Sequence, residues 1–145
     1  EIVEENPIAL IQIFNNYHYI NLDGKLLSYN PQYEAYFKVP IITLSKSQLN
    51  SVINFDNLKL KILDYLNILG NNNFLENLNE IIIGEHELKL IDNNNTKILL
   101  KNENIDYSMK LLNIFNKKIH TIKKLSDYEY INLKLENQII VKEKI

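Results

Sequence analysis

The amino-acid sequence predicts an α+β fold, in which two or more helices pack on one face of a largely antiparallel or mixed β-sheet. The first observation is the order of the predicted elements: a strand, a hairpin, a helix, three consecutive strands, a second helix and a final hairpin. This order differs from the regular strand–helix alternation of a doubly wound parallel sheet. The second observation is the apolar spacing, which changes between period two and period 3.6 along the chain.

The first predicted elements are a strand and a hairpin. Residues 8–13 form a nearly continuous apolar run behind Pro7, which is typical of a strand that is covered on both faces. Residues 17–22 and 25–27 flank the dipeptide Asp23-Gly24. Because this dipeptide tolerates positive φ angles, it predicts a tight hairpin closed by a type I′ turn.

Tyrosines cluster in and after this hairpin. Aromatic side chains pack well across strands, so we expect most of them to lie on the sheet. A contact surface is the alternative, since a tyrosine hydroxyl tolerates partial exposure. The cluster consists of Tyr17, Tyr19, Tyr29, Tyr33 and Tyr36.

A short strand and two helices are predicted next. Pro40 cannot donate a ladder hydrogen bond, so the strand at residues 37–42 should lie at a sheet edge or end at the proline. Residues 45–48 have capping-box spacing and predict the start of a short helix. Residues 57–69 predict a longer helix that Gly70 ends. Its apolar stripe consists of Leu58, Ile62, Tyr65, Leu66 and Leu69.

The second half of the chain begins with three predicted strands. They span residues 80–83, 87–91 and 97–100, and an asparagine-rich turn at residues 92–96 joins the last two. A helix over residues 105–116 follows. Its residues spaced for burial are Met109, Leu112 and Phe115.

The last element is a predicted hairpin at residues 130–142, in which Ile131, Leu133 and Leu135 alternate on one face. A strand that comes last often lies at the edge of its sheet. The unpaired backbone groups of an edge are either protected from pairing or used to bind another chain. The lysines of this region fit both alternatives, since they could discourage edge pairing or attract an acidic partner. They are Lys134, Lys142 and Lys144.

Composition excludes several function classes. The chain has 145 residues, which suits one compact domain, and a formal net charge of −2 argues against nucleic acid as the main partner. Arginine and cysteine are absent, which disfavours bidentate phosphate recognition and removes thiolate metal sites and cysteine nucleophiles. We find no apolar run that could span a bilayer. The strand-like start without a methionine suggests a piece of a longer protein.

The sequence contains no recognisable catalytic constellation. Its histidines fall on different predicted elements, and its serines lack a glycine-flanked elbow or a nearby base. His86 lies between Glu85 and Glu87, where a turn is a better explanation than a metal site. We therefore predict that the chain is not an enzyme and has no catalytic residue, metal or cofactor.

Five short motifs occur in order along the chain. The first fits the pattern V-x-E-x-x-P-x-A loosely, through Val3, Glu5, Pro7 and Ala9. Residues 19–24 combine an aromatic strand with an acidic-glycine turn, and residues 39–42 read V-P-I-I. Residues 98–112 lead from a strand into a helix, and residues 131–141 have the form I-N-L-K-L followed by I-x-V. In this order the motifs resemble the extracytoplasmic part of the bacterial cell-division family FtsQ/DivIB.

This resemblance implies two parts, a last POTRA strand at residues 1–13 and an FtsQ/DivIB-like β domain at residues 14–145. It also implies a non-catalytic scaffold that binds the single-span division proteins FtsB (DivIC) and FtsL through its terminal strand. The chain would lie on the extracytoplasmic side of the cytoplasmic membrane at the septum, tethered by one span outside this sequence. We expect no nucleic acid and no small-molecule substrate.

Carried over by position, the resemblance implies that the terminal hairpin supplies the partner-binding residues. The family has Asp, Arg and an aromatic residue where this chain has Asn132, Lys134 and Leu135. The implied contact residues are Lys134, Leu135, Asn137, Gln138, Ile140, Val141 and Lys142.

Two other functions remain open from the residues alone. One is an extracytoplasmic enzyme, which would need a deep pocket with converging carboxylates or histidines. The other is an accessory adhesion or secretion domain that shares a POTRA-like edge.

Overall fold

The computed structural model describes residues 6–13, 16–32, 38–45 and 55–145, and these residues form one nine-stranded mixed sheet with two α-helices. The strands are β1 (Pro7–Ile13), β2 (Asn16–Asn21), β3 (Leu26–Ser28), β4 (Ile41–Leu44), β5 (Leu78–Ile83), β6 (Glu87–Asp92), β7 (Lys97–Lys101), β8 (Tyr128–Asn132) and β9 (Ile140–Glu143). The helices are α1 (Phe55–Asn71) and α2 (Ile105–Ile119). The strand order is β3-β2-β1-β4-β5-β6-β7-β8-β9.

Both helices lie on one face of the sheet, and the topology explains why. Helix α1 links β4 to β5 and α2 links β7 to β8, and each of these pairs is parallel. All four strands run in the same direction, because β5 and β7 are both antiparallel to β6. Right-handed crossovers that advance in the same direction place their helices on the same face. The predicted α+β fold is confirmed, with a mixed sheet.

An apolar row crosses the face of the sheet that the helices cover, and we call it the inner row. Strand register places its members side by side on seven strands. They are Ile11, Ile42, Ile81, Leu90, Ile98, Ile131 and Val141. The predicted stripe of α1 is buried against this face, as are Met109 and Leu112 of α2. The ring of Phe115 packs 5.8 Å from that of Tyr128.

The first hairpin forms where the sequence predicts it, but its turn is of another type. Gly24 has a φ of +80°, whereas Asp23 is outside the left-handed region. The backbone N–H of Gly24 donates to the carbonyl of Asn21 at 3.0 Å, which gives a type I turn followed by a glycine bulge. The predicted type I′ turn is therefore wrong. The side-chain oxygen of Asn21 explains the difference, because it accepts hydrogen bonds from the N–H groups of Asp23 and Lys25.

The turn between β6 and β7 repeats this geometry with different residues. The Oδ1 atom of Asp92 accepts hydrogen bonds from the N–H groups of Asn94 and Thr96, both at 2.8 Å. Asn95 takes the position of Gly24, with a φ of +65°. Thr96 is fully buried and donates its hydroxyl to the carbonyl of Tyr128 at 2.8 Å, so the turn is fixed to the start of β8.

The strand after Pro40 differs from the prediction, because it is neither an edge strand nor ended by the proline. It begins at Ile41, directly after Pro40, and lies in the middle of the sheet between β1 and β5. The carbonyl of Pro40 accepts a hydrogen bond from the N–H of Leu10 at 2.9 Å. The proline thus precedes the strand, where its missing donor removes no ladder bond.

The prediction that Gly70 ends α1 is wrong, because the helix continues to Asn71. Asn73 has a φ of +57°, and its N–H donates to the carbonyl of Gly70. The N–H of Phe74 donates to the carbonyl of Leu69 at 2.9 Å. These two bonds form a Schellman cap with asparagine in the left-handed position.

The tyrosine cluster lies on the sheet where the structure describes it. Tyr19 is buried, and the ring of Tyr29 packs 5.8 Å from the rings of both Tyr17 and Tyr19. Tyr33 and Tyr36 lie outside the described residues, as does most of the helix start predicted at residues 45–48.

We predict that Asn95→Gly raises the free energy of unfolding by roughly 0.5 kcal/mol, because glycine adopts the left-handed conformation without a Cβ penalty. Asn95→Ala should lower it by about 1 kcal/mol for the opposite reason. Urea denaturation of both variants measures the effect. Asn93→Ala, in the same exposed turn, is the control. Equal changes for glycine and alanine would contradict the left-handed assignment.

A second prediction concerns Tyr65, whose buried hydroxyl has no hydrogen-bond partner among the described residues. Burial, with a smaller contribution from Asp64, raises the pKa of Tyr65 above its ordinary value of 10.0. The unfolded chain therefore releases this proton at lower pH than the folded chain, so stability falls as the pH rises above 10.

Tyr65→Phe should raise the free energy of unfolding by about 1 kcal/mol and flatten its decline at alkaline pH. Denaturant titrations at pH 8 and above pH 10 test both effects. Tyr128→Phe changes another buried tyrosine and serves as the control. A loss of stability in Tyr65→Phe would show that the hydroxyl has a partner.

Candidate functional site

The C-terminal strand β9 forms one edge of the sheet. It pairs with β8 in antiparallel register, with Tyr130 opposite Lys142 and Asn132 opposite Ile140. No other strand of the described residues pairs with β9, because the sheet order ends there. The terminal hairpin and its predicted edge position are confirmed.

The predicted partner-binding residues fall into two groups. Ile140, Val141 and Lys142 lie on β9 itself. The others lie before it, between the end of β8 and the start of β9: Lys134, Leu135, Asn137 and Gln138. The structure thus brings three of the seven onto the edge strand and places four in the connection.

The connection begins earlier than the sequence alternation predicts. Strand β8 ends at Asn132, whose side-chain oxygen accepts the N–H of Lys134 at 3.0 Å and turns the chain. Leu133 is still buried, but Leu135 is 47% exposed. The predicted strand alternation of Ile131, Leu133 and Leu135 on one face therefore does not extend to Leu135. Leu135 is an exposed apolar side chain beside the edge.

The direction of the backbone groups on β9 follows from two hydrogen bonds. The N–H of Lys144 donates to the carbonyl of Asp127 at 3.0 Å, so Lys144 faces β8. On the other side of β8, the N–H of Leu133 donates to Leu99, so Asn132 faces β9. Antiparallel strands alternate between residues that face the partner strand and residues that face away.

By this alternation, Ile140 and Lys142 direct their backbone groups toward β8, whereas Val141 and Glu143 direct theirs outward. The outward groups are two N–H donors and two carbonyl acceptors, and they have no strand partner in the described part of the chain. The prediction from sequence omitted Glu143. Strand alternation would have found it once the start of β9 was known.

The side chains of β9 divide between the two faces of the sheet. Val141 lies opposite Ile131 on the inner face, where it packs against the core. Ile140 and Lys142 lie on the opposite face, and Ile140 is 40% exposed. A strand added to this edge would therefore meet an apolar neighbour on each face.

The lysines near the edge have partners within the chain. Lys134 Nζ lies 2.8 Å from Glu87 Oε2, and Lys142 Nζ lies 3.1 Å from Glu129 Oε2. Lys144 donates to the carbonyl of Asn94 at 2.6 Å. The two ion pairs neutralise the charges of Lys134 and Lys142, and the hydrogen bond engages the ammonium group of Lys144. Together these contacts connect the hairpin to the rest of the sheet. They leave less free charge for attracting an acidic partner than the sequence suggests.

A polar cleft of about 270 Å³ lies near the ends of α1 and α2. Four of its nine lining residues are asparagines, and Asp92 is the one carboxylate among them. That carboxylate already accepts two backbone hydrogen bonds of the β6–β7 turn. Among the described residues, no three histidine, aspartate or glutamate side chains are grouped to hold a metal ion. The cleft therefore lacks the converging carboxylates or histidines that an enzyme would need.

Comparison with known families gives a match over most of the chain. The model of the family described as "FtsQ/DivIB, C-terminal related" matches residues 6–142. The match covers nearly the whole chain and includes β9 up to Lys142. This chain belongs to the FtsQ/DivIB C-terminal-related family. It is a domain of the cell-division type, and the resemblance to FtsQ/DivIB seen in the sequence is confirmed.

The family is a non-enzymatic family of division proteins that takes part in division-complex interactions at the septum. No curated protein matches the chain. Within the described residues, neither helix is both long and apolar enough to cross a membrane.

Proposed function

We propose that this FtsQ/DivIB-related domain is a non-catalytic scaffold of the bacterial division complex, and that β9 binds an FtsB/DivIC-like protein, which brings an FtsL-like protein with it. The observation that carries the proposal is the outward direction of the backbone groups of Val141 and Glu143 on the terminal strand. In β-augmentation, such groups pair with an added strand and supply affinity, while alternate side chains supply selectivity.

The short edge predicts a weak contact. Two outward residues offer four backbone hydrogen bonds, each with a net value of about 1 kcal/mol, before the cost of ordering the partner is subtracted. Membrane tethering of both proteins would raise the effective concentration of the partner and compensate for weak pairing. We therefore place the domain on the extracytoplasmic side of the cytoplasmic membrane, anchored through a segment outside this sequence.

The residues before β9 add a contact of a different kind. Leu135 is an exposed apolar side chain at the tip of the connection between β8 and β9. Aliphatic and aromatic anchors of this kind contribute most of the binding energy of an interface when a partner buries them. We also propose that the segment up to residue 13 corresponds to the last POTRA strand of the family; in this chain its strand β1 pairs with β2 and β4 of the same sheet.

We predict that Val141→Pro weakens binding at least tenfold, because proline removes an outward N–H and its ring obstructs the added strand. It removes no hydrogen bond between β8 and β9 and reduces only the packing of the partly buried Val141 side chain, so the melting temperature should fall less than in a variant that breaks the β8–β9 ladder. The measurement is calorimetric titration with the extracytoplasmic region of the FtsB/DivIC-like protein from the same genome.

The control for this variant is Lys142→Pro. Its N–H faces β8, so this proline should lower the melting temperature more than Val141→Pro does. An unchanged dissociation constant in Val141→Pro would overturn β-augmentation at this edge.

We predict that Leu135→Glu weakens binding about tenfold while leaving the melt unchanged, because Leu135 packs little within the chain and an apolar contact would be lost. Leu22→Glu is the matched control, since Leu22 is an exposed leucine on the turn between β2 and β3, at the other end of the sheet. If both variants bind normally, the contact is limited to β9 itself.

A further inference from the structure

The surface of α2 that points away from the sheet carries exposed apolar side chains. Met109 and Leu112 of this helix are fully buried, whereas Tyr107 is 56% exposed and Ile114 is 51% exposed. Tyr107 and Ile114 are two helical turns apart, so they share one face and lie about 10 Å from each other along the axis. Ile122, in the turn that follows the helix, is 82% exposed.

The charged side chains of this segment are all basic. Residues 107–126 contain five lysines and no aspartate or glutamate, although the whole chain has a net charge of −2. Two of these lysines have acidic partners outside the segment, since Lys110 pairs with Asp106 and Lys123 pairs with Glu143. The other three have no ion-pair partner among the described residues: Lys117, Lys118 and Lys124. We call the surface formed by these three lysines with Tyr107, Ile114 and Ile122 the α2 ridge.

Helix stability explains only part of the α2 ridge. Lysines in the last turn of a helix interact favourably with the negative end of its dipole, which accounts for Lys117 and Lys118. Lys124 follows the helix, so the dipole does not account for it. Ile114 and Ile122 are not stabilised by their exposure to water, because folding gains free energy only from apolar surface that it buries. Another contact is needed to explain these side chains.

The basic half of α2 extends beyond the end of α1. The side-chain amide of Asn113, in the middle of α2, donates to Asn72 Oδ1 at 3.2 Å, and Asn72 directly follows α1. Both helices run in the same direction, because the strands that they link are parallel. Residues 114–119 of α2 therefore have no second helix beside them in the described part of the chain. The α2 ridge is a convex surface, not one wall of a groove between helices.

We infer that the α2 ridge binds an anionic lipid surface. The exposed isoleucines would enter the boundary between headgroups and acyl chains, and the free lysines would contact lipid phosphates. Tyr107 suits the same depth, since its ring is apolar and its hydroxyl can remain in water. The convex shape fits a deformable lipid surface better than the groove of a folded protein. A symmetric contact with a second copy would bring the same unpaired lysines together.

Binding through the α2 ridge does not depend on the proposed pairing at β9 and does not obstruct it. Helix α2 lies on the face of the sheet that carries the inner row. The outward N–H and carbonyl groups of Val141 and Glu143 lie instead in the plane of the sheet and point away from β8. A domain that rests on a membrane through the α2 ridge would therefore keep this edge accessible.

The test measures co-sedimentation of the chain with vesicles of phosphatidylcholine, with and without about one third phosphatidylglycerol. The chain should bind the anionic vesicles at least tenfold more tightly, and high salt should weaken this binding. Lys117→Gln/Lys118→Gln should weaken it about tenfold, because two charges near the lipid surface are lost. The matched control is Lys97→Gln/Lys101→Gln, which changes two exposed lysines on the opposite face of the sheet and should bind like the parent chain.

A second pair of variants tests the insertion of apolar side chains. Ile114→Gln/Ile122→Gln leaves the charge unchanged and should weaken binding to anionic vesicles about fivefold, because less apolar area would enter the lipid. Leu22→Gln is its control, since Leu22 is 70% exposed on the turn between β2 and β3. Circular dichroism melts of all variants show whether the fold is retained, and the exposed positions predict little change.

Three outcomes would overturn the inference. The first is equal binding to both kinds of vesicle, or no binding at millimolar lipid. The second is equal weakening in Lys117→Gln/Lys118→Gln and Lys97→Gln/Lys101→Gln, because binding would then follow the total charge and not the α2 ridge. The third is unchanged binding of Ile114→Gln/Ile122→Gln, since the lysines would then form a site for a soluble polyanion and not for a lipid surface.

Discussion

The inner row is the constraint on which the rest of the structure depends. Its seven side chains form one apolar surface across strands that are distant in sequence, and each buried aliphatic side chain contributes about 1.5–3 kcal/mol. The surface is stable only if helices cover it. Right-handed crossovers from β4 to β5 and from β7 to β8 place α1 and α2 there and leave the other face open.

Val141 connects this core to the proposed interface. Its side chain packs under the helices, while its N–H and carbonyl point away from the sheet. The core thus fixes the position and direction of the free N–H and carbonyl groups of Val141 without covering them. A partner strand would meet an edge that is already ordered, which lowers the entropy cost of association. Ion pairs from Lys134 and Lys142 to neighbouring strands hold the rest of the hairpin in position.

Much of the fold could be predicted from local sequence patterns. The apolar stripe of α1, the three strands β5 to β7 and the terminal hairpin all follow from periodicity, because their burial repeats with the period of the element. The errors in the predicted helix end and hairpin turn occur where an asparagine, and not the glycine that the sequence pattern favours, determines the local backbone conformation. Asn73 caps α1 in place of Gly70, and Asn21 reshapes the turn at Gly24. Asparagine suits both positions, because Asn73 tolerates the left-handed conformation and the side-chain oxygen of Asn21 accepts backbone hydrogen bonds in the turn.

The candidate site was harder to predict than the fold. Sequence alternation located the terminal hairpin but extended β8 through Leu135, because the hydrogen bond from Lys134 to Asn132 cannot be read from apolar spacing. The pairing partners of Lys134 and Lys142 come from other strands, so sequence alone could not show that these lysines are engaged. The prediction that the strand near Pro40 lies at an edge or ends at the proline is wrong, because parallel neighbours that are distant in the chain have no local signature.

The parallel pairing of β7 with β8 also has a consequence for the order of folding. A parallel pair cannot close through a short turn, so pairing of β8 with β7 requires the whole connection that contains α2 to cross the sheet. The antiparallel strands β5, β6 and β7 are local and can assemble early. The terminal hairpin is therefore expected to dock last, and with it the proposed binding edge. A chain whose core is not yet folded would present no ordered edge. Partner binding at β9 would therefore favour fully folded molecules.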